Sequence, residues 1–193
     1  MLRAILLTIF GFAFILSGMI NPKELAVGDK AENFSLANID GKLISLDSYE
    51  NAIGYVVIFT CNNCPYAKAY QKRIAELHNE YAPKGIPVIA INPNDSKEKI
   101  KQRSKEKNYP FAYLHDETQE VTRAYGASKT PHVFILNKEK TVMYIGAIDN
   151  NYKDAAAADK RYVNDALDAM LASKKIEVTN TRALGCSIKW RNS

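Results

Sequence analysis

Cysteine is scarce in this chain: there are three in 193 residues, with Cys61 and Cys64 close together and Cys186 far beyond them. A four-thiolate zinc site needs two such pairs, so the ligand count excludes a structural zinc centre, and no metal or cofactor is expected. A bridge between Cys61 and Cys64 closes too short a loop to restrain the unfolded chain much, which argues against a purely structural disulfide. Charge of one sign is also lacking. Twenty-six Lys and Arg against 21 Asp and Glu leave a formal net charge of +5. The densest basic run, Lys97 to Lys107, holds Ile100 as nearly its only apolar residue and no interleaved aromatics. It reads as a solvated helix face, and no nucleic-acid partner is expected. No internal repeat or second domain is visible, and 47 % hydrophobic residues over this length suffice for one globular domain with a sizeable core.

Long apolar runs are absent except at the start, where Arg3 precedes the uncharged stretch Ala4 to Leu16. This pattern reads as a secretory signal, with the small residues Ser17 and Gly18 near the cleavage point, or as an uncleaved anchor. No cysteine lies there to carry a lipid. The chain therefore divides into residues 1–20 as signal peptide or N-terminal anchor, 21–172 as the folded domain, and 173–193 as a basic tail. Cys186, Ile188 and Trp190 should pack that tail on the domain. Export implies a periplasmic or other extracytoplasmic location with disulfide-permissive surroundings, and membrane contact only if the N-terminal segment stays attached.

What is present centres on Tyr55-Val56-Val57-Ile58-Phe59, a β-branched and aromatic run that breaks into Thr60-Cys61-Asn62-Asn63-Cys64-Pro65. The run reads as a doubly covered strand, and Pro65 suits the first turn of a helix, where its missing N–H has no partner to lose. Tyr66, Tyr70, Ile74, Leu77 and Tyr81 then recur on one helical face. Cysteines at i and i+3 in that first turn share a side, so their sulfurs can close or open as a disulfide. The positive end of the helix favours the thiolate that attacks. Cys61, at the entrance, is expected to be the more exposed, with Cys64 as its resolving partner.

Further along, Asp40-Gly41 between apolar alternations signals an N-terminal β-hairpin. Ile86 to Ile91 reads as a second buried strand reached by a right-handed crossover, so Asn92-Pro93-Asn94-Asp95 should lie beside Cys61 at the carboxyl edge. Asp95 with Glu98 looks like a capping box for the charged helix. A short helix is expected over Thr118 to Tyr125, stopped by Gly126. Strands are expected over Lys129 to Leu136 and Thr141 to Gly146, and a final helix over Ala155 to Ala172.

Taken in order, these elements resemble the thioredoxin fold. The motifs Thr60-Cys61-Asn62-Asn63-Cys64-Pro65-Tyr66, Ala90 to Asp95 and Gly185 to Trp190 are similar to an exported, peroxiredoxin-like redoxin group of AhpC/TSA type. The resemblance implies a three-layer α/β/α thioredoxin-like fold with a mixed sheet and the N-terminal hairpin as an extension. It also implies that Thr130–Pro131 is a cis bond and that both residues position substrate beside the dithiol. Departures bear on function. Thioredoxin's tryptophan before the first cysteine and its buried aspartate are replaced by Thr60 and Tyr55. In the peroxiredoxin pattern Cys64-Pro65 fits the peroxidatic place, but Cys61 replaces a threonine and Thr130-Pro131 falls about where a peroxide-polarising arginine belongs.

These residues point to an exported thiol–disulfide oxidoreductase, with Cys61 attacking and Cys64 resolving, acting on protein or small-molecule disulfides or thiols and recharged by a redox partner. A thiol peroxidase is the alternative, with Cys64 peroxidatic and Cys61 or Cys186 resolving. Cys186 reads otherwise as a small hydrophobe anchoring the tail. A third alternative holds copper between Cys61, Cys64 and His132. Lys68 and Lys72 are candidates for lowering a thiol pKa, or simply solvated lysines.

Overall fold

The computed structural model describes residues 24–191; the signal or anchor expected over 1–20 lies outside the described residues. A seven-stranded mixed sheet forms the middle layer. Its strands are β1 (Leu36–Asn38), β2 (Leu43–Ile44), β3 (Gly54–Phe59), β4 (Val88–Asn92), β5 (Ala112–His115), β7 (His132–Asn137) and β8 (Val142–Gly146), in the order β2-β1-β5-β4-β3-β7-β8. Separate from it, β6 (Lys129–Thr130) pairs with β9 (Cys186–Ser187). Four helices flank the sheet: α1 (Pro65–Tyr81), α2 (Lys97–Lys107), α3 (Glu120–Ala124) and α4 (Tyr162–Leu171).

β3 is buried at every residue because both its faces are covered, and its run of branched and aromatic side chains meets that demand. It lies parallel to β4 and antiparallel to β7. Val56 and Ile58 point to a core shared with Tyr70, Ile74, Leu77 and Tyr81 of α1, Ile100 of α2 and Leu167 of α4. Val57 and Phe59 point to the opposite core, with Phe34, Leu114, Tyr125 and Phe134. Alternation along one strand thus assigns α1, α2 and α4 to one layer and α3 with the N-terminal segment to the other. Parallel β3 and β4 place the ends of both strands, and hence Cys61 and Asp95, at one edge of the sheet.

Three expectations are corrected. Lys129 to Leu136 is two strands rather than one, because Pro131 donates no N–H and divides β6 from β7. The last helix begins at Tyr162, not Ala155. Before it, Asn150 binds Lys160 and Asp159, Asn151 accepts from Lys153 and Asp154, and these turns outcompete helix formation by the alanines. Asp95 does not cap α2; Ser96 holds the cap position, and the Asp95 carboxylate is engaged elsewhere. The hairpin of β1 and β2 joins the main sheet by pairing with β5. Among the described residues, no helix is long and apolar enough to cross a membrane.

Candidate active site

Where β3 ends, the chain does not enter the helix at once. Cys64 is the N-cap of α1 with extended backbone angles, and Pro65 is the first helical residue. Cys61 therefore precedes the helix, one tight Asn62-Asn63 turn away, instead of sharing its first turn. The two sulfurs still meet, packed in one buried cluster with Ala67. Both are buried, Cys61 at 6 % exposure and Cys64 at 3 %, so Cys61 is the more exposed of the two by a small margin only. None of the three cysteines is bridged.

Both sulfurs converge on Thr130. Cys61 Sγ lies 3.2 Å from Thr130 Oγ1, and the Cys64 thiol donates to the Thr130 carbonyl oxygen at 2.9 Å. The Thr130–Pro131 bond is cis. The reduced pair carries its negative charge unevenly. The hydrogen bond from Cys61, with the Cys186 thiol and the N–H groups of Ala67 and Cys186, holds Cys64 down to about 4 against the opposing cost of burial. Cys61 is pushed up, by that same bond and then by burial. This follows from the N-cap position, where unpaired N–H groups favour an anion.

The turn between the thiols is held by Asp95, a residue buried at 6 % exposure. Its carboxylate accepts from the Asn62 backbone N–H at 2.7 Å, Asn63 Nδ2 at 3.1 Å and Asn92 Nδ2 at 3.0 Å. Tyr113 closes the network, its hydroxyl accepting from Asn92 Nδ2 at 2.7 Å and donating to Asn62 Oδ1 at 2.8 Å. Asn62 Nδ2 donates to the Lys99 carbonyl, tying the turn to α2. Burial keeps the Tyr113 phenol neutral. The sequence placed Asp95 in the right loop but assigned it a local cap; two of its donors, Asn62 and Asn63, stand 33 and 32 positions away, and Tyr113 was not singled out.

Cys186 joins the pair through the β6–β9 ladder, which sets it opposite Thr130, and it packs against Cys61, Cys64 and Ala67. A groove of about 410 Å³ opens over the three thiols, lined also by Asn63, Asn94, Asp95, Lys99 and Lys189. Lys68 is exposed and Lys72 pairs with Glu76 at 3.5 Å, so these lysines are solvated helix residues. His132 sits in β7 against the Phe134 ring, and burial lowers its pKa to about 4. It accepts from the Ser128 N–H. Among the described residues no three His, Cys, Asp or Glu side chains gather where a metal ion could bind, so His132 does not complete the copper site considered above.

The model of the AhpC/TSA family matches residues 27–145. The thiol-disulfide oxidoreductase ResA of Bacillus thuringiensis subsp. konkukian is 24 % identical over 133 residues, 69 % of this chain and 76 % of that protein. A solved structure of an uncharacterized conserved protein from Geobacillus kaustophilus matches with a TM-score of 0.81 and 36 % identity over 87 % of this chain and 94 % of that one. The thioredoxin domain of a thiol-disulfide oxidoreductase from Bacteroides vulgatus matches with a TM-score of 0.56 at 18 % identity, over 62 % of this chain and 86 % of that domain. The three-layer arrangement is thus a thioredoxin-like fold.

Proposed function

The chain belongs to the AhpC/TSA family, and from that premise we propose that it is an exported thiol–disulfide oxidoreductase working through Cys61 and Cys64. The observation that carries the reading is the convergence of both sulfurs on Thr130 beneath an open groove. Relatedness to proteins named as thiol-disulfide oxidoreductases supports the reaction class. The apolar run from Ala4 to Leu16 supports export.

Cys64 is covered by the Thr130 carbonyl and by Cys186, so Cys61 is the sulfur that meets a client. The proton on Cys61 passes to Cys64, whose thiol donates to the Thr130 carbonyl, and the Thr130 hydroxyl remains to stabilise the Cys61 thiolate. That thiolate attacks one sulfur of the client disulfide and expels the other as a thiolate. Cys64 gives its proton to the first client thiolate as that leaves, then attacks the Cys61 sulfur of the mixed disulfide, releasing the second client thiolate and leaving Cys61–Cys64 oxidised. The client gains two electrons and the dithiol loses two; a redox partner of the opposite poise restores the starting form, and the same steps run backwards oxidise a client. Thr130 and Pro131 position the reacting segment. The Asp95 network keeps the Asn62-Asn63 turn, and with it the distance between the sulfurs, in place.

One observation favours peroxidase chemistry as a second reading: Cys64, followed by Pro65, is the thiol held at low pKa. A peroxide would convert it to a sulfenic acid, which Cys61 or Cys186 would resolve with loss of water. Against it, no arginine is among the groups that lower Cys64. The test is the rate of thiol loss from the reduced protein with hydrogen peroxide, set beside its rate with a small-protein disulfide. Rapid exchange with the disulfide, abolished by Cys61→Ser, and slow loss to peroxide are expected. Peroxide loss far faster than the Cys64 pKa alone accounts for would replace the oxidoreductase with a peroxidase.

A further inference from the structure

The tail does more than cover the domain. It runs as a strand along Thr130, pairing Thr130 with Cys186 and Lys129 with Ser187 in antiparallel register. The approach is close: a Cβ added to Gly185 would stand 2.2 Å from the Thr130 carbonyl oxygen, the same oxygen that Cys64 touches. Glycine is needed here by lack of space. Beyond the strand the tail is fastened by the buried Ile188, whose N–H donates to the Ser128 carbonyl, and by Lys189, whose N–H donates to Asn94 Oδ1. The next anchor is Arg191, whose N–H donates to Gln119 Oε1. Upstream, Arg182 and Leu184 are exposed. The tail is thus held at its far end and again at Thr181, whose N–H donates to the Ile145 carbonyl, with a less covered stretch between the two.

We propose that Cys186 is a third redox thiol, presented to Cys64 by a tail strand that occupies the edge of Thr130 on which a client's cysteine-bearing segment would otherwise lie. The inference rests on the dithiol reading above and deepens it. When Cys61 and Cys64 are joined, the Cys186 thiolate attacks Cys64 Sγ, the Cys61–Cys64 bond breaks, and Cys64–Cys186 forms. Cys61 leaves as a thiolate and takes up the proton that Cys186 gave. One disulfide is exchanged for another, so no outside oxidant is needed. In one isomer the tail is free to yield its edge to a client; in the other it is sewn across that edge and Cys61 is a free thiol.

The charge arrangement suits this order of events. Cys186 is pushed up to about 11, by burial first and then by its bond and repulsion with Cys64, so in the reduced protein it stays protonated. Oxidation of Cys64 removes its negative charge and leaves burial as the main restraint. Cys186 therefore becomes more readily ionised once there is a disulfide beside it to attack.

The test begins with the full chain oxidised by one equivalent of oxidised glutathione, quenched in acid, alkylated and digested, with linked peptides identified by mass spectrometry. Both Cys61–Cys64 and Cys64–Cys186 linkages are expected, with alkylated Cys61 appearing in step with the second. Gly185→Val, whose side chain cannot stand against Thr130, should lose the second linkage, keep the first and exchange several-fold faster with a small-protein disulfide. Cys61→Ser should still form Cys64–Cys186 on oxidation whether or not the wild type exchanges with any client. If the wild type fails to exchange while this linkage forms, the oxidoreductase reading fails and the third thiol stands. Full alkylation of Cys186 in oxidised wild type and in oxidised Cys61→Ser would overturn the proposal.

Discussion

Two carboxylates are buried at the same edge of the sheet, Asp95 just past β4 and Asp149 just past β8, and the protein keeps them there in opposite ways. Asp149 is neutralised. The Arg73 guanidinium of α1 meets its Oδ2, Tyr70 OH donates to Oδ1 at 2.7 Å, and Arg73 also donates to the carbonyls of Asn151 and Tyr152. The guanidinium further lies 4.2 Å from the centre of the Tyr70 ring. Asp95 receives only uncharged amides, from Asn62, Asn63 and Asn92. A neutral cluster of this kind fastens a loop to a helix and has no electrostatic reach. A carboxylate satisfied by dipoles alone has no counter-ion beside it, and this one lines the thiol groove. The first is a structural clamp, whereas the second shapes the reactive turn.

The largest expected effect separates the thiol side from the clamp by pH. Cys64 is held near 4 in the folded reduced protein, against about 8.5 for an ordinary thiol. Between those values the native state binds fewer protons than the unfolded one. The thiolate's contribution to stability is therefore complete above the ordinary thiol value and is lost as pH falls through about 4, with a limiting slope of about 1.4 kcal/mol per pH unit. Denaturant midpoints of the reduced protein should climb from pH 4 to 8 more steeply than those of the oxidised protein, which has no such thiolate. Equal slopes would show that Cys64 is not the buried anion. The clamp should play no part, so Arg73→Met should keep the difference in slope.

Next in size is Arg73→Met itself. It leaves Asp149 buried without its cation, a loss of about 3–5 kcal/mol, while the exchange rate of the dithiol stays at the wild-type value. Asp95→Asn should reverse that pattern. It replaces an acceptor of three amides by a group that must itself donate, costing about 1–3 kcal/mol. Loosening of the Asn62-Asn63 turn should slow disulfide exchange roughly ten- to a hundredfold. A variant at Asp95 that unfolds more easily yet exchanges at full rate would make both carboxylates clamps.

The division between what sequence shows and what it hides follows the reach of the interactions. β3 and α1 were legible because their instructions are local: a β-branched run buried on both faces, a proline at the first helical residue, and an apolar stripe at helical spacing. Asp95 was misread because Glu98, three positions on, offered a local partner, whereas its donors Asn62 and Asn63 are brought in by the crossover between β3 and β4. The tail strand was illegible for a different reason. Two residues carry no periodicity, and Cys186 reaches Thr130 through backbone pairing that Gly185 permits by having no side chain. The late start of α4 belongs to the same class, since asparagine turns around 150–160 overrode alanines that favour a helix.

The smallest effect expected is also the one that discriminates most finely. Tyr113→Phe removes a hydroxyl and leaves the shape of the core intact. Asn92 Nδ2 keeps Asp95 as an acceptor, so Asn62 Oδ1 is the atom left without its donor, and the cost should be about 1 kcal/mol. Its worth lies in pairing. Tyr113 and Asp95 share Asn62 and Asn92, so in the double variant with Asp95→Asn the losses should depart from their sum by about 0.5 kcal/mol or more. Tyr113 and Arg73 share no partner, so with Arg73→Met the losses should add to within about 0.5 kcal/mol. Coupling in both pairs would mean that the two buried carboxylates belong to one network that the hydrogen bonds do not display. Additivity in both would mean that Asp95 is satisfied by each amide separately, and the reactive turn would then owe its position to packing.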